Sequence, residues 1–132
     1  MINTVSLKRG SDIVRTFRHG KYKAGRYLTV YARPNRLPYN RLAVSQVKHF
    51  GNSVERNRAK RLSRENYSHL EKWLITGMDI VIVARACNPK PDYYMINSEL
   101  KYLLSRLELF TKDSTGESII PSDDPVLPGA SV

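Results

Sequence analysis

One cysteine, Cys87, is all the thiol this chain of 132 residues contains. No disulfide can therefore close within it, and no cluster of thiolates can hold zinc. That scarcity suits a reducing compartment, so a cytoplasmic location is expected. No apolar run approaches the roughly 20 residues that span a bilayer. Lys8 and Arg9 are followed by no apolar stretch, so neither a signal peptide nor a membrane partner is expected. Acidic side chains are scarce in one half only. Residues 1–64 hold 16 basic groups against two acids, Asp12 and Glu55, whereas residues 65–112 carry six of each. Residues 113–132 hold four acids and no base, and the whole chain sums to +10. Positive charge gathered into one half is the footprint of a polyanion binder.

Motifs for protein-based chemistry are missing as well. His19, His49 and His69 are not spaced as a unit, and there is no HxxxH, no paired carboxylate motif and no Gly-rich phosphate loop. With few acids where a polyanion would sit, a two-metal site on the protein is not expected. No catalytic residue and no protein-held metal is assigned.

What is present reads as an α+β chain. Residues 11–20 suit a short helix, with Ser11 as its cap and Gly20 as a left-handed stop. On it Phe17 shares a face with Ile13 and Val14. Residues 26–32 are β-branched and aromatic, which favours a strand. Alternation predicts Tyr27, Thr29 and Tyr31 on one face and Leu28, Val30 and Ala32 on the other. A Pro- and Asn-rich turn leads to a second strand over 41–48, read as the return arm of a hairpin. A long helix is predicted over 52–74, with Asn52 and Glu55 as a capping box and Gly77 beyond its end. Ile80-Val81-Ile82-Val83 reads as a buried central strand. A last helix carries Ile96, Leu100, Leu103, Leu104 and Leu107. Residues 1–110 are expected to form the domain, and residues 111–132 an acidic, Pro-rich, disordered tail. The order argues for one sandwich of helices on a sheet.

The densest feature is Gly51-Asn52-Ser53-Val54-Glu55-Arg56-Asn57-Arg58-Ala59-Lys60-Arg61-Leu62-Ser63-Arg64. On a helix Arg56, Lys60 and Arg64 stand in one line with Asn57 and Arg61 beside them. Ala59, Leu62, Leu70 and Trp73 fall on the opposite side. Like charges four residues apart cost a few tenths of a kcal/mol per pair in an isolated helix. Phosphates remove that repulsion, and the Arg fork grips them in pairs. No acid is expected to interrupt this ridge.

This run resembles the signature of the bacterial ribonuclease P protein family: a Gly-Asn-Ala-Val lead-in, then Arg-Asn-Arg, Lys-Arg and a further Arg. Arg56, Asn57, Arg58, Lys60, Arg61 and Arg64 match it position for position. Leu7, Lys8, Phe17, His19, Gly20, Arg26, Tyr31, Arg41, Ser45 and Lys48 also fall where that family has comparable residues, as does the segment 79–85. The resemblance covers about residues 5–110. It implies three helices on a four-stranded sheet, like the second domain of ribosomal protein S5, with a left-handed βαβ crossover and a short strand near Lys21 to Lys23. It implies a subunit of ribonuclease P, which removes the 5′ leader of precursor tRNA. Catalysis would reside in an RNA subunit, with Mg²⁺ held mainly by that RNA and the substrate. The partners implied are the catalytic RNA and precursor tRNA, with no protein partner required. Arg56, Asn57, Arg58, Lys60, Arg61, Arg64 and Lys48 would face the catalytic RNA. Phe17, Tyr31, Ile13, Thr29 and Ser45 would line a cleft for the leader. Several positions depart from the pattern: Ile13 replaces a frequent aromatic, His49 a lysine, Val47 a serine and Ser53 an alanine. The residues alone also fit a structural RNA-binding protein of ribosomal type, which would co-purify with ribosomal RNA rather than one large non-coding RNA.

Overall fold

The computed structural model describes residues 1–121. In chain order it contains β1 (Thr4–Ser6), α1 (Gly10–His19), β2 (Lys21–Ala24), β3 (Leu28–Pro34) and β4 (Asn40–Gln46). There follow α2 (Ser53–Leu70), a 3-10 turn (Glu71–Trp73), β5 (Met78–Ala84) and α3 (Tyr93–Arg106). The five strands form one mixed sheet in the order β1-β4-β5-β3-β2. Both strands flanking the long helix lie side by side and parallel, from Arg41 beside Asp79 to Gln46 beside Ala84. The strand implied near Lys21 is present as β2, antiparallel to β3.

Three expectations are corrected. The strands before and after the Pro-rich turn are not a hairpin, because β5 lies between them, antiparallel to β3 and parallel to β4. Ile80, Val81 and Ile82 are each no more than 1% exposed, so β5 needs cover on both faces and belongs at the centre of the sheet. Asn35 fastens the β3–β4 link to that centre: its Nδ2 donates to Asp79 Oδ1 at 2.9 Å, and its Oδ1 accepts from Leu37 N at 2.8 Å. Second, the sheet has five strands rather than four. β1 is only three residues long, too short to announce itself by alternation, and pairs parallel with β4. Buried Glu71 holds the chain just ahead of it by accepting from Ile2 N at 2.7 Å and Asn3 N at 3.1 Å. Third, α1 begins after Arg9 with no side-chain cap, so Ser11 lies inside it, and Gly20 is extended rather than left-handed. Gly20 is needed for a different reason. A Cβ there would stand 2.5 Å from Thr16 O and 2.7 Å from Ala32 O, and its absence lets α1 turn tightly onto the sheet.

The long helix starts as expected. Asn52 Oδ1 accepts from Glu55 N at 2.9 Å, and Glu55 Oε1 accepts from Asn52 N at 3.2 Å. The core lies between α2, α3 and one face of the sheet. Leu28, Val30 and Ala32 of β3 meet Ile80 and Ile82 of β5 beneath Tyr67, Leu70, Leu100 and Leu104. Glu99 of α3 seals the β2–β3 turn, accepting from Arg26 N, Tyr27 N and Leu28 N at 2.6–2.7 Å. The composition boundary at residue 110 falls within a run of contacts. Thr111 N donates to Trp73 O at 2.9 Å, and Asp113 caps a turn by accepting from Thr115 N and Glu117 N. The remainder of the expected tail, residues 122–132, lies outside the described residues.

Candidate nucleic-acid interface

Register decides which side chains share the second face of the sheet, since paired residues point the same way. Tyr22, Tyr31, Val81 and Ala43 form one row across β2, β3, β5 and β4. Ala24, Thr29, Val83 and Ser45 form the next. Helix α1 packs on β3 and β5. The Phe17 ring meets Tyr31 edge to face, with centroids 4.7 Å apart and planes at 88°. Val81, in the Tyr31 row, is buried, whereas Thr29, Val83 and Ser45 remain half-exposed beside it. Phe17 is 40% exposed, so it is no core residue. Ile13 is half-buried one turn earlier on α1. The elements thus bring Phe17, Tyr31, Thr29 and Ser45 to one face, as expected, but not Tyr27. It precedes the first residue of β3 and packs against the core on the other side.

Sequence reasoning missed Tyr22. It is 63% exposed and stacks on Tyr31, with centroids 5.5 Å apart and planes 29° from parallel. The three rings of Phe17, Tyr31 and Tyr22 therefore follow one another across the edge of the sheet. The signal was available in Lys21-Tyr22-Lys23, an aromatic between two cations, but only the pairing with β3 shows where its ring lies.

A polar latch sets the position of α1. Arg41 donates from Nε to Asp79 Oδ1 and from Nη2 to Asp79 Oδ2, each at 2.7 Å, and its Nη1 lies 3.3 Å from Asp12 Oδ2. The hydrogen bond to Asp79 raises the guanidinium pKa further above its already high value, against the lowering effect of burial. Asp79 itself is fully buried, so the latch joins the first turn of α1 to β4 and β5 through a paired charge rather than an apolar seam.

The basic residues lie elsewhere, on the outer side of α2. Arg56, Asn57, Arg58, Arg61 and Arg64 are exposed, and Lys60 is half-buried. Leu70 is buried and Ala59 and Trp73 pack on the core, so the two sides of the helix separate as expected. The ridge is not free of acid: Arg61 Nε lies 4.0 Å from Glu65 Oε1, because a residue four positions on shares the same side of the helix. Arg56 Nη1 donates to Gly51 O at 2.8 Å, which steadies the start of the ridge. Arg58 leans to the flank, its Nη1 3.5 Å from Pro91 O. Lys48 is exposed in the link from β4 to α2. Among the described residues no three His, Cys, Asp or Glu side chains gather as a metal site.

This arrangement has relatives. A family model described as Ribonuclease P matches residues 1–108. The ribonuclease P protein component of Lachnoclostridium phytofermentans is 42% identical over 98 residues, covering 74% of this chain and 84% of that protein. The corresponding protein of Clostridioides difficile is 33% identical over 107 residues, covering 80% and 94%. A solved structure of the Staphylococcus aureus RNase P protein superposes with a TM-score of 0.72 at 29% identity, covering 84% of this chain and all of that one. One from Thermotoga maritima gives 0.69 at 28%, covering 76% and 96%. With the match running from the first residue through α3, the chain belongs to the ribonuclease P protein family.

Proposed function

We propose that this protein works in ribonuclease P by holding two RNAs on two surfaces. The basic side of α2, with Lys48 beside it, docks on the catalytic RNA, and the aromatic trough beside α1 holds the single-stranded 5′ leader of precursor tRNA. The observation that carries this reading is the separation itself. The rings of Phe17, Tyr31 and Tyr22 lie on the α1 face of the sheet, while Arg56, Arg61 and Arg64 project from a helix packed on the other. Aromatic rings suit an unpaired strand because every base offers a face to stack on. Guanidinium and ammonium groups suit the phosphates of a folded RNA. Thr29 and Ser45 supply hydroxyls along the trough, and Ile13 flanks it.

Cleavage belongs, in this reading, to the RNA subunit, with Mg²⁺ held by that RNA and the substrate. The carboxylates of Asp12 and Asp79, which lie on either side of one guanidinium, do not fit a divalent cation. Asp12 and Asp79 both face Arg41, whose guanidinium already occupies the space between them. The test is reconstitution with a precursor tRNA. Protein with catalytic RNA should release the leader at low Mg²⁺, and protein alone should release none. Maturation of the 5′ end by RNA-free protein would defeat the assignment.

A further inference from the structure

A cavity of about 230 Å³ opens beside the first turns of α2, away from the α1 trough. Its walls are apolar, built from Phe50, Ala59, Leu62 and Ile96, with Tyr27 at one side. Its rim is cationic. Arg58, Arg85 and Lys90 surround the mouth, and the single acid there, Glu55, is paired with Lys90. Arg85 Nη1 donates to Gly25 O at 2.6 Å and Arg58 Nη1 reaches Pro91 O at 3.5 Å. Each guanidinium is thus aimed by a backbone carbonyl, which leaves its full positive charge at the mouth. A cavity of about 150 Å³ lined by apolar side chains is enough for a benzene-sized ring. This one suits a flat heteroaromatic ring whose attached anion stays at the surface.

We infer that this cavity receives an unpaired nucleobase of the catalytic RNA, with the adjoining phosphate on Arg58 and Arg85. The source follows from position. Arg58 belongs both to the cavity rim and to the basic helix, whereas the leader trough lies across the sheet. The inference deepens the proposed docking of α2 on the catalytic RNA and rests on that reading. Stacking and burial of one base add affinity and a contact to the base itself, where phosphate contacts position the helix without reading the base.

Ala59→Leu fills the cavity from a helical position without touching the basic ridge. It should weaken the complex with the catalytic RNA roughly tenfold, the scale of one stacked base, and leave the preference for long over one-nucleotide leaders unchanged. Arg56→Ala serves as the control for the ridge. If Arg56→Ala weakens binding and Ala59→Leu does not, the ridge binds RNA but the cavity is not used. If neither weakens it, the docking of α2 itself is wrong, and the inference falls with it. A measurement on the parent protein covers the case in which Ala59→Leu fails to fold. Methyl signals of Ala59, Leu62 and Ile96 should shift on titration with adenosine 5′-monophosphate and not with inorganic phosphate. No shift with the nucleotide, or shifts that instead follow protein concentration and so mark a second copy as the occupant, would overturn the inference.

Discussion

On the α2/α3 side of the sheet, Leu28, Val30, Ala32, Leu42, Ile80 and Ile82 are all at most 6% exposed. On the α1 side the same strands present Thr29, Tyr31, Val83 and Ser45 half-exposed, and the nearby Tyr22 is mostly open. The difference is geometric. Five strands about 4.8 Å apart make a sheet roughly 19 Å across, and one helix with its side chains is only about 10–12 Å wide. Two helices cover such a face and one does not. The uncovered strip beside α1 is therefore a direct consequence of the helix count, and its rings and hydroxyls are the groups on which the proposed leader binding rests. The covered face does the opposite: it buries the inner side of α2 and leaves the charge of that helix pointing outward.

The contrast can be broken most severely at the latch. Arg41→Met leaves the Asp79 carboxylate buried without its cation and should cost about 3–5 kcal/mol in denaturant unfolding, as for a broken buried pair. A loss below about 1 kcal/mol would show that α1 is held by its apolar contacts instead. The β1 edge should respond less. Burial raises the Glu71 carboxyl, but bonds from Thr4 and from the N–H groups of Ile2 and Asn3 outweigh it and hold the pKa below its ordinary 4.5. The folded value being the lower one, this stabilisation is present above the ordinary carboxylate range and is lost as pH falls through the folded value. Glu71→Gln should therefore cost about 1–2 kcal/mol at neutral pH and flatten the acid limb of the stability profile. An unchanged acid limb would remove Glu71 from the account. Smallest, per residue, are the ridge effects. Arg56→Ala, Lys60→Ala and Arg64→Ala should each lower the slope of log K against log salt for catalytic RNA by roughly 0.7–0.9. Three parent-like slopes would make the ridge a merely solvated surface.

How much of this was legible in the sequence depended on the range of the signal. The capping box at Asn52 and Glu55, the alternation of β3 from Leu28 to Ala32 and the exposure of Arg56, Arg61 and Arg64 on α2 are encoded within a few residues and are found where expected, whereas Tyr27 falls on the core side and Glu65 interrupts the ridge. The position of β5 between β3 and β4 is a competition among three strands, which no local window records. Tyr22 was missed for the same reason, since its role depends on lying beside Tyr31 across a strand pair. Gly20 was correctly singled out as special but for the wrong cause: its lack of a Cβ matters for close approach to Ala32 rather than for handedness. The latch of Arg41 with Asp12 and Asp79 joins residues up to 67 positions apart, and its charges read in sequence as ordinary surface groups.

The division of labour between the faces is tested most directly by crossing two variants with two RNAs. Tyr31→Ala should leave assembly with the catalytic RNA unchanged and weaken a long-leader precursor tRNA by about 1–3 kcal/mol, with little loss on a one-nucleotide leader. Arg56→Ala should weaken the catalytic RNA and keep the leader-length preference of the assembled enzyme. An equal loss on long and short leaders for Tyr31→Ala, or a loss of catalytic RNA binding by it, would contradict the two-surface account.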